Sequence, residues 1–160
     1  MKKHKTTGAT KNIADNRRAR FDYEILETFE AGIILEGPEV KSAKGGGLNL
    51  SGSFVTFHEN LPQLLGARIA PYPYSQSEID PERTRNILLK RDEIDYLRGK
   101  RETAGLTLVP LRAYLKRGLI KLEIGIARGR QAKDKRRLIQ ERETSREVER
   151  DLQSRAKKRT

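Results

Sequence analysis

The sequence predicts a mainly β protein: an antiparallel barrel of the oligonucleotide-binding kind, with two or three short helices and a basic C-terminal tail. Three observations carry this. Short apolar-alternating runs recur at close spacing and are joined by turn residues, which is the pattern of hairpins in a barrel. The clearest run, Leu119 to Ala127, puts Ile120, Leu122, Ile124 and Ile126 on one face and Lys121 and Glu123 on the other. It then gives way abruptly to Arg128, Gly129, Arg130 and a cluster of cations. Charge is also uneven. Of the net +12, residues 1–20 hold seven cations against one acid and residues 128–160 thirteen against six, which leaves the middle near neutral.

Only 35% of the 160 residues are apolar, little for a chain packed throughout. The expected organisation is a disordered basic arm over 1–12, a body over 13–127 and a basic tail over 128–160. Residues 1–12 have almost nothing to bury and are expected to order only against a ligand. Phe21, Tyr23 and Ile25 alternate with Asp22 and Glu24, and after Glu27 and Thr28 a second run spans Phe29 to Leu35, so two strands are expected to open the body. Pro38 suits a first helical turn, Glu39 complements the dipole there, and Gly45 to Gly47 end the run, which predicts a helix over Pro38 to Lys44. This helix can plug one end of a barrel, present Lys41 and Lys44 to a ligand, or do both. The triple glycine lacks the Gly-Lys-Ser/Thr ending of a phosphate loop.

Ser53 to Phe57 and Gln63 to Ile69 read as strands joined by a hairpin turn at HENLP, and Pro71 to Pro81 reads as an irregular loop. Ile94 and Leu97, three apart, mark a helix over Arg91 to Lys100, with Gly105 after it. Leu106 to Leu115 alternates Leu111, Ala113 and Leu115 with Arg112, Tyr114 and Lys116, and Arg117 with Gly118 turns it into the strand from Leu119. In the tail, Arg142, Arg146 and Arg150 form one i,i+4 stripe and Glu143, Glu147 and Asp151 the next. Acid–base pairs there contribute only about 0.2–0.5 kcal/mol each. Leu138, Ile139, Val148 and Leu152 are too scattered to dock the segment, so the tail is expected to be frayed alone and helical when bound.

Basic ends on a neutral body point to a polyanion, nucleic acid above all. Neither end has the wide apolar face that an interfacial membrane helix needs, so no membrane partner is expected. Without cysteine there is no disulfide and no thiolate metal site. No apolar signal region or transmembrane run occurs, and a soluble cytoplasmic protein is expected. His4 and His58 are isolated, and Ser51 and Ser53 have no nucleophile elbow around them. The chain does not read as an enzyme and no cofactor is expected, although carboxylates for two-metal chemistry can also assemble from distant positions.

Taken together, NRRARFDYEILETFEAGIIL, GPEVKS, NLSGSFV, DPERTRNILL, GLTLVPLRAYLKRG and IARGRQAKDKRR resemble the SsrA-binding protein family, also called small protein B, over about residues 12 to 150. The resemblance implies an oligonucleotide-binding-like barrel that binds the tRNA-like domain of tmRNA. It also implies help in delivering alanyl-tmRNA, with elongation factor Tu, to stalled ribosomes for trans-translation, without a covalent step of its own. On the family's motifs, Glu30, Leu88 and Lys90 match tmRNA contacts, Lys90 standing where some members have asparagine. Asn16, Arg17 and Arg20 match the start of the first motif, and Glu39, Lys41 and Ser42 the short helix. Arg83, Arg85 and Arg128 complete the expected RNA-binding set. Gly129, Asp134, Lys135 and Arg136 match the segment near the decoding centre, with Lys133 where an aromatic or histidine often stacks. Arg142, Arg146 and Arg150 are expected to face small-subunit rRNA in the empty message channel. A monomer is expected, and the alternative is a ribosomal or general RNA-binding barrel with no rescue role.

Overall fold

The computed structural model describes residues 10–158, which fall into a body ending at Gly129 and a second unit beginning at Arg130. In chain order the body holds β1 (Thr10–Asp15), α1 (Arg17–Asp22), β2 (Tyr23–Ile33), α2 (Gly37–Lys44), β3 (Leu48–Asn49) and β4 (Phe54–His58). There follow β5 (Leu61–Leu65), β6 (Arg68–Ile69), β7 (Arg85–Leu88), α3 (Arg91–Glu102), β8 (Leu106–Lys116) and β9 (Leu119–Gly129). The second unit is α4 (Ala132–Lys158).

The large sheet runs β1-β8-β4-β5-β7-β2-β9, and β9 pairs again with β8, so β8, β4, β5, β7, β2 and β9 form a closed antiparallel ring. Closure removes the exposed edges that an open sheet would leave. One edge of β8 pairs along its length with β9, while its other edge is shared. β4 takes Leu108 through Val55, and β1 takes Arg112 to Lys116. β3 and β6 make a separate two-stranded ladder.

Alternation fills the ring. Leu122, Ile124 and Ile126 of β9 are fully buried with Leu108, Ala113, Val55, Leu64 and Ile87, and Leu97 reaches the same core from α3. A smaller cluster lies where α1 packs, formed by Ala19, Val109, Leu111 and Ala127 with Tyr23 and Ile25 against them. Each hairpin turns on two consecutive positive-φ residues, Glu59 (48°) with Asn60 (73°) and Arg117 (52°) with Gly118 (77°). Such turns match the right-handed twist of the flanking strands.

The structure corrects several expectations. Residues 10–12 belong to β1 and not to a disordered arm, while residues 1–9 lie outside the described residues. Phe21 and Asp22 form the last turn of α1 and not the start of a strand; the helix is N-capped by Asn16, whose side chain accepts from the Ala19 N–H. The two opening strands are a single strand, β2, with a bulge between Ile25 and Glu27 that shifts the alternation and looks like a break in sequence. Gln63 to Ile69 is divided at Gly66, whose φ of 78° takes the chain out of the ring and into the small ladder. The last strand runs to Gly129, since Arg128 and Gly129 still pair with Glu24 and Tyr23. The tail is one helix, α4, with no buried residue.

Candidate nucleic-acid interface

On the outer face of the ring, register brings three strands into one polar row. Glu30 of β2 stands opposite Glu123 of β9, Glu123 opposite Arg112 of β8, and Lys121 opposite Tyr114. The Tyr114 hydroxyl donates to one Glu30 oxygen, and Lys116 Nζ lies 3.2 Å from both. Arg112 bridges to Glu123 and places its guanidinium 4.5 Å from the centroid of the Tyr114 ring. Burial pushes the Glu30 carboxyl up, but the hydrogen bonds from Tyr114 and Lys116 and the charges of Lys116 and Lys121 outweigh it and leave the group below the usual carboxylate range. Tyr114 is pushed well above the ordinary phenol value, by burial first and then by Glu30, so it keeps its proton and donates. The result is an oriented carboxylate, one-third exposed, among cations.

Beside this row, β7 carries Leu88 opposite Gly32 of β2. A Cβ on Gly32 would lie 3.2 Å from the Leu88 Cβ, so glycine leaves room for the Leu88 side chain, which is 59% exposed. Lys90 caps α3 through its backbone N–H, which donates to Glu93 at 3.2 Å, and its side chain is exposed.

Around α2 the expected residues do different work. Glu39, only 4% exposed, accepts from the Glu36 N–H at 3.1 Å, from Arg83, and from Arg85 Nε at 2.8 Å. Arg85 has no exposed surface and donates its remaining groups to the Ala67 and Pro81 carbonyls at 2.9 and 3.0 Å. Ser42 donates to the Ala70 carbonyl at 2.6 Å. Asn16 is likewise buried, with Nδ2 donating to Leu50 and Pro110 carbonyls at 3.1 and 2.8 Å.

The expected RNA-binding set therefore divides in two. Arg17, Arg20, Lys41, Leu88, Lys90 and Arg128 are exposed, and Glu30 and Arg83 are partly so. Asn16, Glu39, Ser42 and Arg85 are buried, with their polar groups spent inside the body. Sequence reasoning missed Tyr114, Lys116 and Lys121 as partners of Glu30. Their alternation was visible, but the contact joins residues 84 and 86 apart in the chain. In the second unit, Lys133, Arg136, Arg146 and Arg150 are exposed, as is Arg142, while Asp134 and Lys135 are partly covered. Asp134 sits in the first turn of α4, where a carboxylate complements the helix dipole. Gly129 ends β9 on exposed backbone.

Among the described residues no group of three or more His, Asp or Glu side chains is arranged to hold a metal ion, and no helix is long and apolar enough to cross a membrane. Fold and surface define a basic antiparallel β-barrel protein with a cationic helical extension. The chain belongs to the SmpB protein family, whose model matches residues 13–154. It is 50% identical over 147 residues to an SsrA-binding protein of Synechococcus sp. (strain JA-3-3Ab), covering 91% of this chain and 96% of that one. It is 44% identical over 153 residues to an SsrA-binding protein of Oleidesulfovibrio alaskensis, covering 95% and 98%. A solved structure described as "tmRNA-SmpB: a journey to the center of the bacterial ribosome" is similar at 49% identity and a TM-score of 0.64, over 76% of this chain and 86% of that chain.

Proposed function

We propose that this protein binds the tRNA-like domain of tmRNA and serves trans-translation on stalled ribosomes as a cytoplasmic, monomeric, non-enzymatic factor. The observation that carries the reading is the family match across both body and tail, together with relatives and a structural neighbour whose names specify SsrA and tmRNA. The local chemistry supports it. An anionic group on an RNA-facing surface repels phosphate, so its use is to accept hydrogen bonds from base amino groups or ribose hydroxyls. Glu30 is oriented for that by Tyr114 and Lys116. Leu88 offers an apolar contact next to it, and Lys90, Lys41, Arg17, Arg20 and Arg128 supply phosphate contacts. Arg83 shares its charge with Glu39. Asn16, Glu39, Ser42 and Arg85 hold these elements in place and touch no RNA.

In this reading the tail acts on the ribosome. Lys133, Asp134, Lys135 and Arg136 lie near the decoding centre, and Arg142, Arg146 and Arg150 face rRNA phosphates in the empty message channel, while elongation factor Tu is reached through alanyl-tmRNA. No residue of α4 is buried, and the core clusters of the body contain none of its residues. Truncation after Gly129 is expected to leave tmRNA affinity within about tenfold, or roughly 1.4 kcal/mol, and to abolish peptide tagging on a message without a stop codon. Full tagging by the truncated protein refutes the role given to the tail. Joint loss of tagging and tmRNA preference favours a general RNA-binding barrel. Glu30→Gln is expected to weaken tmRNA binding by about 1–3 kcal/mol.

A further inference from the structure

The segment between β6 and β7 has no helix or strand, yet its backbone is tied down at several points. The Ile69 N–H donates to the Pro81 carbonyl at 2.9 Å, closing the segment at its base, and Arg85 holds the same carbonyl from inside. Ala70 is fixed twice, its N–H to Gly47 and its carbonyl to Ser42. At the tip, the Ser75 N–H donates to the Tyr72 carbonyl at 3.0 Å and makes a turn that carries Tyr72 and Tyr74. An irregular segment anchored in this way presents side chains without paying much ordering entropy when a ligand arrives.

Tyr74 is 84% exposed, more than any other large apolar or aromatic side chain recorded as exposed in the described residues. The other tyrosines are engaged. Tyr114 is buried, Tyr96 packs on Phe29 and donates to Glu27, and Tyr23 lies in the small cluster under α1. Tyr72 meets Tyr74 edge to face with centroids 5.6 Å apart, and Lys41 Nζ lies 5.4 Å from the centroid of the Tyr72 ring. Lys44, one turn further along α2, is exposed as well. An aromatic face in water next to ammonium groups is the chemistry that stacks an unpaired base and holds its neighbouring phosphate. The acids of the segment, Glu78, Asp80 and Glu82, follow the tyrosines and disfavour a phosphate backbone running along it. What fits is a base face on Tyr74, with the strand leaving toward α2.

We propose that Tyr72 and Tyr74 form a stacking platform for an unpaired nucleobase of RNA, with Lys41 and Lys44 on its phosphate side. The site is separate in its residues from the Glu30 row, and only its biological occupant rests on the tmRNA reading. Stacking uses the π-face common to every base, so the platform does not select sequence.

The test uses the full chain with short oligouridylate, oligoadenylate and an RNA duplex of the same length. Tyr74→Ala and the double variant Tyr72→Ala/Tyr74→Ala are expected to lose about five- to hundredfold in affinity for both single strands, with duplex binding unchanged. Tyr74→Phe keeps the ring and is expected to bind as wild type. Because a stack neutralises no phosphate, the log–log salt slope stays the same in Tyr74→Ala. The proposal is overturned if Tyr74→Ala binds single strands as wild type does, if duplex binding falls equally, if Tyr74→Phe is as weak as Tyr74→Ala, or if wild type does not bind single strands. Thermal melts of each variant establish that the body is intact, as expected for a side chain this exposed. The preference of wild type for the tRNA-like domain of tmRNA over tRNA, measured beside these titrations, tests the other reading independently. If that preference is absent while the Tyr74 effect persists, the tmRNA assignment fails and the platform stands.

Discussion

Glu39→Gln is expected to be among the most damaging single substitutions in the body, although it keeps the side chain's volume. Its carboxylate is the counter-charge of Arg85, which has no exposed surface. Removing one partner of a buried pair leaves an uncompensated charge and costs about 3–5 kcal/mol. Arg85 keeps the Ala67 and Pro81 carbonyls as acceptors, which places the loss toward the lower end of that range. At a few degrees per kcal/mol for a domain of this size, the melting temperature should fall by roughly 10 °C. The pH dependence has a definite sign. Burial pushes Glu39 up, but the hydrogen bond from Arg83, the Glu36 N–H and Arg85 together bring it below the usual carboxylate range. A depressed acid contributes stability that is present above its unfolded pKa and lost as pH falls through the folded one. The stability gap between wild type and Glu39→Gln should therefore narrow as the solution is taken from neutral into the acid range. Urea titrations at several pH values measure it, and Glu39→Gln/Arg85→Met, which removes both charges, should recover most of the loss. A loss under about 1 kcal/mol at neutral pH, or a gap that does not narrow in acid, would falsify the assignment of Glu39 as the counter-charge.

Four further outcomes follow from local geometry. Tyr114→Phe removes the hydroxyl that donates to Glu30, so the Glu30 carboxyl should titrate closer to its ordinary value in a carbon-detected NMR titration; an unmoved Glu30 means that Lys116 and Lys121 set it without the hydroxyl. A Cβ on Gly47 would lie 2.2 Å from Ser42 Oγ, which already bonds the Ala70 carbonyl, so Gly47→Ala should destabilise by about 1–3 kcal/mol. Gly99, inside α3 with open space around it, should gain about 0.4–1 kcal/mol on substitution by alanine, and equal effects at the two glycines would show that local space does not decide them. Glu59 and Asn60 hold left-handed backbone in the β4–β5 turn, so Glu59→Asn/Asn60→Gly should raise stability by about 1 kcal/mol in denaturant melts, and a destabilised variant would mean that the Glu59 side chain has a role outside the turn.

Much of the fold was legible because the β8–β9 hairpin states its own register. Ile120, Leu122, Ile124 and Ile126 alternate without interruption, and Arg117 with Gly118 can take the left-handed turn that joins the strands. The α2 helix was legible for a similar local reason, with Pro38 and Glu39 at one end and glycines at the other. Errors fell where a tertiary contact overrides the local pattern. The bulge at Ile25 and Glu27 lets Tyr23 and Ile25 face the α1 cluster while Phe29 and Ala31 face the main core, so one strand serves two clusters on opposite faces and reads as two. β1 was missed because Ile13 and Ala14 are too few to signal a strand, and its pairing comes from the half of β8 that β4 leaves free.

The candidate site was legible in a different sense, since motif resemblance picked out residues but did not sort them by what they touch. Arg17 and Arg85 carry the same guanidinium, and both fall inside matching motifs. One is exposed on a six-residue helix and the other sits in the core, bound to Glu39 and two carbonyls. Charge alone cannot separate these cases, because a buried arginine with its donors satisfied is as demanding of its position as one that meets a phosphate. Sequence did contain a usable hint: β7 reads Arg85, Asn86, Ile87, Leu88, and in a strand Arg85 shares its face with the buried Ile87 while Asn86 shares the outer face with Leu88. Period two thus places the arginine inward and the leucine outward, the reverse of what polarity suggests. An inverted pair of this kind marks two needs at once, a buried counter-charge on one side of the strand and an apolar contact surface on the other. Glu39 meets the first. The second is met, in the tmRNA-binding reading proposed above, by the exposed Leu88 on the strand beside Glu30.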